Sequence, residues 1–224
     1  MKLEIDKIYC CHHPSDSLKE RKGKLVSLFA TENLEVEWVE GFPPSEAIKW
    51  EHGSLLKMVM TMGPIGYRSE VSKAEELCGR LLSLILKHNY CCKDQVEKGY
   101  ENVLILEDDV DLFSNFNEDY FNGCMREFKT QNLEMMFMGT CCDLEFPYRN
   151  QNQRVYSHPD LTSRCTHCYV LNIEGAKKVL KHCYKMINAA DWQYNWIIKE
   201  ERIKNAWVEP GVRQLGYQSS LSNH

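Results

Sequence analysis

Apolar and polar positions along this chain alternate in short strand-like runs separated by longer helical stripes. Lys7–Cys11 reads as a first strand, followed by the loop His12-His13-Pro14-Ser15-Asp16, where Ser15 or Asp16 is placed to cap a helix. Leu18, Leu25, Leu28 and Phe29 give that helix an apolar stripe ending near Asn33. Val36, Trp38 and Val39 suit a second strand, closed by Gly41-Phe42-Pro43-Pro44. The Gly53–Gly66 stretch is ambiguous beyond a Gly63-Pro64 turn. A long helix is predicted from about Ser69 to Lys93, with Leu77, Leu81, Leu84, Ile85 and His88 on or near one face. Asn132–Gly139 and Cys168–Leu171 read as strands, the latter followed by a helix over Ile173–Tyr184. Phe146–His158 is polar and aromatic, a loop or hairpin able to lie over a site. Asp191 opens a helix carrying Trp192, Trp196, Ile197 and Ile198, and Val208-Glu209-Pro210 ends the last strand.

The strongest signal is Glu101–Phe113. Val103, Leu104, Ile105 and Leu106 form an unbroken apolar run, followed at once by Glu107, Asp108 and Asp109, with Asp111 two residues on. Such a run predicts a strand buried on both faces, as in the middle of a parallel or mixed sheet. Carboxylates are too costly to bury there unpaired, so they belong at the strand end. Ligands of open α/β sheets bind beyond the carboxyl ends of the strands. A hard divalent cation takes oxygen ligands, so the cluster is a candidate cation site; the competing reading is a solvated acidic loop. The strand–helix–strand opening predicts a nucleotide-binding α/β fold in one domain over residues 1–224.

Composition narrows this further. The 224 residues are 43% hydrophobic and 26% charged, ordinary for a globular domain. A net charge of −5 gives no general attraction to nucleic acid or anionic membrane, so a polyanionic substrate would need a local basic patch or a metal. No apolar stretch reaches the roughly 18 residues of a membrane span, and MKLEIDKIY lacks a signal-peptide core. The eleven cysteines therefore read as reduced thiols in a cytoplasmic setting. The cluster Cys10, Cys11, His12, His13 and the segment Cys165-Thr166-His167-Cys168 have some character of metal ligands. The doublets Cys91-Cys92 and Cys141-Cys142 are poor chelators, so the spacing for structural zinc is incomplete.

Several blocks, in order, resemble glycosyltransferase family twenty-five, which includes lipo-oligosaccharide and procollagen galactosyltransferases. Glu20-Arg21 is similar to the family's opening helix, Val39-Glu40-Gly41-Phe42-Pro43 to the segment after its second strand, and Leu86-Lys87-His88 to a Ser-His pair, with Lys87 where Ser is usual. Lys98–Val110 resembles the acidic block. Cys165–Leu171 with Gly175-Ala176-Lys177-Lys178 resembles a Gly-Thr-His block, with Cys165 in place of Gly. Ala190-Asp191-Trp192-Gln193 resembles an Asp-Trp block, and Pro210, Gln214 and Ser219-Ser220 resemble the tail. The opening block departs from the family by placing Cys10–His13 where an Asp is expected. The resemblance implies a GT-A fold, Rossmann-like with a mostly parallel central sheet. It also implies a UDP-sugar donor, a divalent ion (Mn2+ or Mg2+), and inverting transfer of a hexose, galactose or glucose, to a glycan or glycoprotein acceptor.

On that footing Asp109 is the candidate metal ligand. Glu107 and Asp108 are candidates for ribose contacts or for orienting the loop. Asp191 is the candidate base, against a helix-cap reading. Arg21, His88, Thr166 and His167 are donor-site candidates. Against them stand an exposed helix arginine, a satisfied core histidine and ordinary strand-end residues. Trp192 and Trp196, four apart, read as core packing. A catalytically inactive GT-A-like binding module is the alternative, and a Cys/His metal protein a third reading.

Overall fold

The computed structural model describes residues 2–15, 18–50, 53–62, 68, 70–112, 116–139, 153–157 and 165–214. Among these, the central sheet is ordered β2-β1-β3-β7-β5-β8-β6. Its strands are β1 (Lys7–Cys11), β2 (Glu37–Val39), β3 (Asn102–Glu107), β5 (Met135–Phe137), β6 (Val155–Tyr156), β7 (Cys168–Asn172) and β8 (Asn205–Val208). Strands β2, β1, β3, β5 and β8 run one way, while β7 and β6 run the other. The sheet is thus mixed but mostly parallel, compatible with a Rossmann-like arrangement. A separate two-stranded ladder joins β4 (Val110–Asp111) to β9 (Arg213–Gln214).

Strand β3 sits third in the sheet, and its pleat divides the core. Leu104 and Leu106 face a layer built on helices α1 (Lys19–Thr31) and α5 (Glu118–Thr130), through Leu25, Phe29, Phe121 and Phe128. Val103 and Ile105 face the other layer, which includes Cys91 and Cys92 of α4 (Val71–Lys98), Val179 of α6 (Ile173–Leu180), and Tyr194 and Ile197 of α7 (Ala190–Glu201). All four β3 side chains are essentially inaccessible. Burial of that completeness stabilises by about 1.5–3 kcal/mol per side chain. The unbroken apolar run is therefore what a strand between two helical layers requires.

Helix α4 runs past the predicted Lys93 stop to Lys98, because only Gly99, at φ 72°, supplies the left-handed turn that ends it. Its N-terminal half packs on α2 (Pro44–Ala47) and α3 (Gly53–Met62) through Leu82, Ala47, Leu55 and Val59. The ambiguous Gly53–Gly66 stretch thus begins as a helix. Helix α6 is shorter than predicted and is capped by Asn172, whose side chain accepts from the Gly175 N–H at 2.8 Å. At the start of α1 the N-cap position is held by Leu18, without a side-chain bond, rather than by Ser15; the other expected cap, Asp16, lies outside the described residues. Most of the Phe146–His158 segment also lies outside them; within it, Val155–Tyr156 is β6, paired to β8.

The chain after β8 returns across the sheet end. The Val212 N–H donates to the Met138 carbonyl at 2.7 Å, and the Val212 carbonyl lies 3.1 Å from His167 Nε2. Two glycines permit this crossing. A Cβ on Gly211 would lie 2.8 Å from the Gly139 Cα, and one on Gly139 would collide with the Val212 carbonyl and sit 2.6 Å from His167 Nε2. Replacing Gly139 by Ala should destabilise the protein by about 1–3 kcal/mol, as overpacking does, and loosen the 209–214 crossing. Denaturant unfolding with limited proteolysis at the C-terminal segment checks this; unchanged stability and cleavage would refute it.

Candidate functional site

Because β1 and β3 are parallel neighbours with Cys11 opposite Glu107, the residues just after each strand emerge side by side at one rim. Because β7 is antiparallel, the residues just before it reach the same rim, and the Glu107 N–H donates to the His167 carbonyl at 2.9 Å. Sheet polarity thus brings together Glu107–Asp109, His12 and Thr166–His167 from three separate parts of the sequence.

Each acidic residue has its own environment. Thr166 Oγ1 donates to Glu107 Oε1 at 2.6 Å, and His88 Nε2 lies 3.3 Å from the same oxygen. Burial pushes the Glu107 carboxyl up. The His88 bond and charge, the Thr166 hydroxyl and His167 outweigh that and hold it below its ordinary value. His88 is inaccessible, and burial pushes it down; Cys11 and Glu107 more than compensate, leaving it above its ordinary value. Behind it, His88 Nδ1 meets the Tyr169 hydroxyl at 2.9 Å, and Tyr169 meets the Tyr194 hydroxyl at 3.0 Å. His88 is thus a satisfied core histidine, as one of its two readings had it, and is at the same time bonded to the acidic cluster.

Asp108 is held from the other side. Its Oδ2 lies 2.6 Å from His12 Nδ1, and Arg21 of α1 reaches its Oδ1 at 3.6 Å. The His12 ring is set edge-on against Trp38, with centroids 5.8 Å apart.

Asp109 differs. Gln214 donates to its Oδ2 at 2.8 Å, placed there by the β4–β9 ladder, while its Oδ1 is buried with no hydrogen-bond partner among the described residues. Burial, then the charge of Glu107, raises its pKa, with Asp108 adding to the shift and Gln214 opposing it. A carboxylate with a buried oxygen left unpartnered among the described residues suits a cation. Among the described residues no group of three His, Cys, Asp or Glu side chains is arranged to hold a metal by itself. A magnesium-type ion commonly takes one or two carboxylates and completes its shell with water and substrate phosphate, so Asp109 fits that role better than a protein cage.

Asp191 is the second residue of α7, after Ala189 as N-cap, so it is not the cap. Its Oδ1 accepts from the Trp192 N–H at 2.9 Å. A helix N-terminus by itself favours the ionised form of a carboxylate. Burial dominates instead and raises its pKa, with the Trp192 bond opposing and the Glu107 charge adding to the rise. Trp192 is 60% exposed rather than core, while Trp196 packs against the core as expected.

Every predicted site residue except Asp191 is thus joined by direct bonds to the rim; Asp191 is linked to it through the charge of Glu107. His12, Gln214 and Gly139 were not foreseen as site residues. The Cys10–His13 cluster and the tail block contained His12 and Gln214, but nothing in their spacing showed what they hold. The cysteines expected to be reduced include one exception, since Cys165 is disulfide-bonded. No helix among the described residues is long and apolar enough to cross a membrane.

A family profile described as Glycosyltransferase family 25 (LPS biosynthesis protein) matches residues 16–193. That span holds Arg21, His88, Glu107–Asp109, Thr166–His167 and Asp191, and leaves His12, Gln214 and β8 outside. No curated protein matches the chain significantly.

Replacing His88 by Phe should destabilise the fold by about 3–5 kcal/mol near pH 6, the loss typical of breaking a buried ion pair. The raised His88 contributes fully below its unfolded value of about 6.5 and less as pH rises through its folded value. The lowered Glu107 contributes above about 4.3 and less as pH falls through its folded value. The wild-type advantage in unfolding free energy should therefore be largest in mildly acidic buffer and shrink toward alkaline pH. A pH-independent difference would contradict the pairing.

Proposed function

The chain belongs to glycosyltransferase family 25, and on that footing we propose that it is a metal-dependent, inverting enzyme of GT-A architecture. In this reading it moves galactose or glucose from a UDP-sugar to a glycan or glycoprotein acceptor. The observation that supports it most directly is Asp109, a carboxylate just past the end of strand β3 with a buried oxygen that has no hydrogen-bond partner among the described residues. Glu107 and Asp108 beside it are already engaged, Glu107 by His88 and Thr166 and Asp108 by His12 and Arg21.

The chemical difficulty of such a transfer is a diphosphate that gathers negative charge as the bond to the sugar breaks. A Mn2+ or Mg2+ ion at Asp109 would supply neutralisation of that charge. Glu107 and Asp108, spent on His88, Thr166, His12 and Arg21, fix the loop that presents Asp109. Arg21 is partly exposed at the rim and offers the donor a positive group beside Asp108. His167, tied to the Val212 carbonyl, keeps the returning C-terminal segment and Gln214 at Asp109. Inversion requires a base on the face opposite the leaving group, and Asp191 takes the acceptor hydroxyl proton. Its partial burial favours that task, because a raised pKa makes the carboxylate more basic. The exposed Trp192 next to it offers an apolar face against which a sugar ring can pack.

Assay of UDP-galactose and UDP-glucose with acceptor glycans should give transfer that manganese enhances and a chelator abolishes. Asp109→Asn should lose metal-dependent turnover while remaining folded. Asp191→Asn should lower kcat by about 10²–10⁴-fold with donor binding retained. A base works ionised, so activity should fall as pH drops through the raised Asp191 value, above the usual carboxylate value of about 3.9. Metal-enhanced UDP binding without transfer or donor hydrolysis, on any sugar tried, would instead identify a binding module.

A further inference from the structure

A cavity of about 230 Å³ opens beside the acidic rim, walled by Lys87, Ser83 and Arg80 of α4, His12 and His13 after β1, and Asp108 after β3. Lys87 is only 2% exposed, and its ammonium is poorly satisfied. Its Nζ donates to Ser83 Oγ at 2.5 Å and more weakly to the Ser83 carbonyl at 3.5 Å, both one turn back on the same helix. Among the described residues no carboxylate lies within ion-pair distance of it. Asp108, on the same wall, is taken by His12 and Arg21, and Glu107 by His88 and Thr166. Arg80 is paired to Glu76 at 2.9 Å. The Nδ1 of His13, also on this wall, is buried with no hydrogen-bond partner among the described residues.

A lysine is almost never buried unless something pairs it, since an unpaired ammonium in a dry site is strongly disfavoured. Burial does lower the Lys87 pKa, with the more distant charges of Cys11 and Asp108 opposing. Nothing in the packing requires a charge here: Leu84 and Leu86 on the same helix show that apolar side chains are accommodated in this layer. The cavity is smaller than the roughly 300–1,000 Å³ of a pocket for a whole ligand, so it accepts one part of one.

We propose that Lys87 is a specificity-determining residue of the donor site, its ammonium receiving an anionic phosphate oxygen of the nucleotide in the cavity beside Asp108. This rests on the nucleotide-sugar reading above and adds to it the group that selects the charged part of the donor. A phosphate there would complete the three-donor capacity of the ammonium that Ser83 leaves unfilled, and would offer His13 Nδ1 an acceptor.

The test is calorimetric titration of UDP, uridine and inorganic pyrophosphate into the wild type, Lys87→Met and Lys87→Gln, with thermal unfolding of each. Both variants should lose about 10- to 100-fold in affinity for UDP, as removal of a charge-assisted bond does, while uridine affinity changes less than about twofold. They should unfold at the same temperature as the wild type or higher, because a poorly paired buried charge is gone. Equal loss for UDP and uridine would place Lys87 at the base or ribose and overturn the assignment. Unchanged UDP affinity, or destabilisation in both variants, would likewise overturn it in favour of a structural lysine. Wild type that binds pyrophosphate through Lys87 but no UDP would uphold the anion site while sinking the UDP-donor reading.

Discussion

Three adjacent carboxylates at the end of a dry strand repel one another, and the surrounding structure is organised by how that repulsion is relieved. Glu107 is countered from the α4 layer and from β7, Asp108 from β1 and from α1 on the opposite layer. These partners are not neighbours in the sequence; they meet because both helical layers and three strands end at one rim. Asp109 has only the neutral Gln214 as a side-chain partner among the described residues, and its other oxygen has none there. Two carboxylates stiffen the turn, and the third is left chemically available.

The order of the sheet explains why this rim and not the opposite one carries the polar groups. Strands β1 and β3 deliver the residues at their C-terminal ends, and β7, inserted in the reverse sense between β3 and β5, delivers those at its N-terminal end. The two-residue strands β4 and β9 then pin the returning segment, and Gly139 and Gly211 allow backbones to approach more closely than any side chain would permit. The local chemistry therefore depends on contacts between peptide groups as much as on side chains.

Much of the architecture was legible in the sequence where burial is two-sided. Strand β1 matched its predicted bounds, and β3 followed from four apolar residues against an acidic stop. Family 25 membership followed from the ordered motif blocks. What escaped has a physical pattern. Strands β4 and β9 are two residues each, too short for any periodicity, and exist because of the glycine crossing. The end of α4 was missed because Lys93–Lys98 is polar apart from Val96 and carries no apolar stripe of its own, and the helix continues until Gly99 stops it. Trp192 looked like core because it stands four residues before Trp196, yet the first turn of α7 turns it outward. The pairings of His12 with Asp108 and Gln214 with Asp109 link residues about a hundred positions apart, and only the folded sheet makes them neighbours.

The antiparallel seating of β7 has one more consequence. Thr166 reaches Glu107 only when Cys168 stands opposite Leu106; a slip of one residue would turn every β7 side chain to the other layer and carry the threonine away. The cluster is consequently absent from any misaligned sheet. A molecule that binds there selects correctly aligned protein and, by mass action, raises its share of the population. Recognition at the rim and fidelity of strand alignment in the centre are in this way two readings of a single equilibrium.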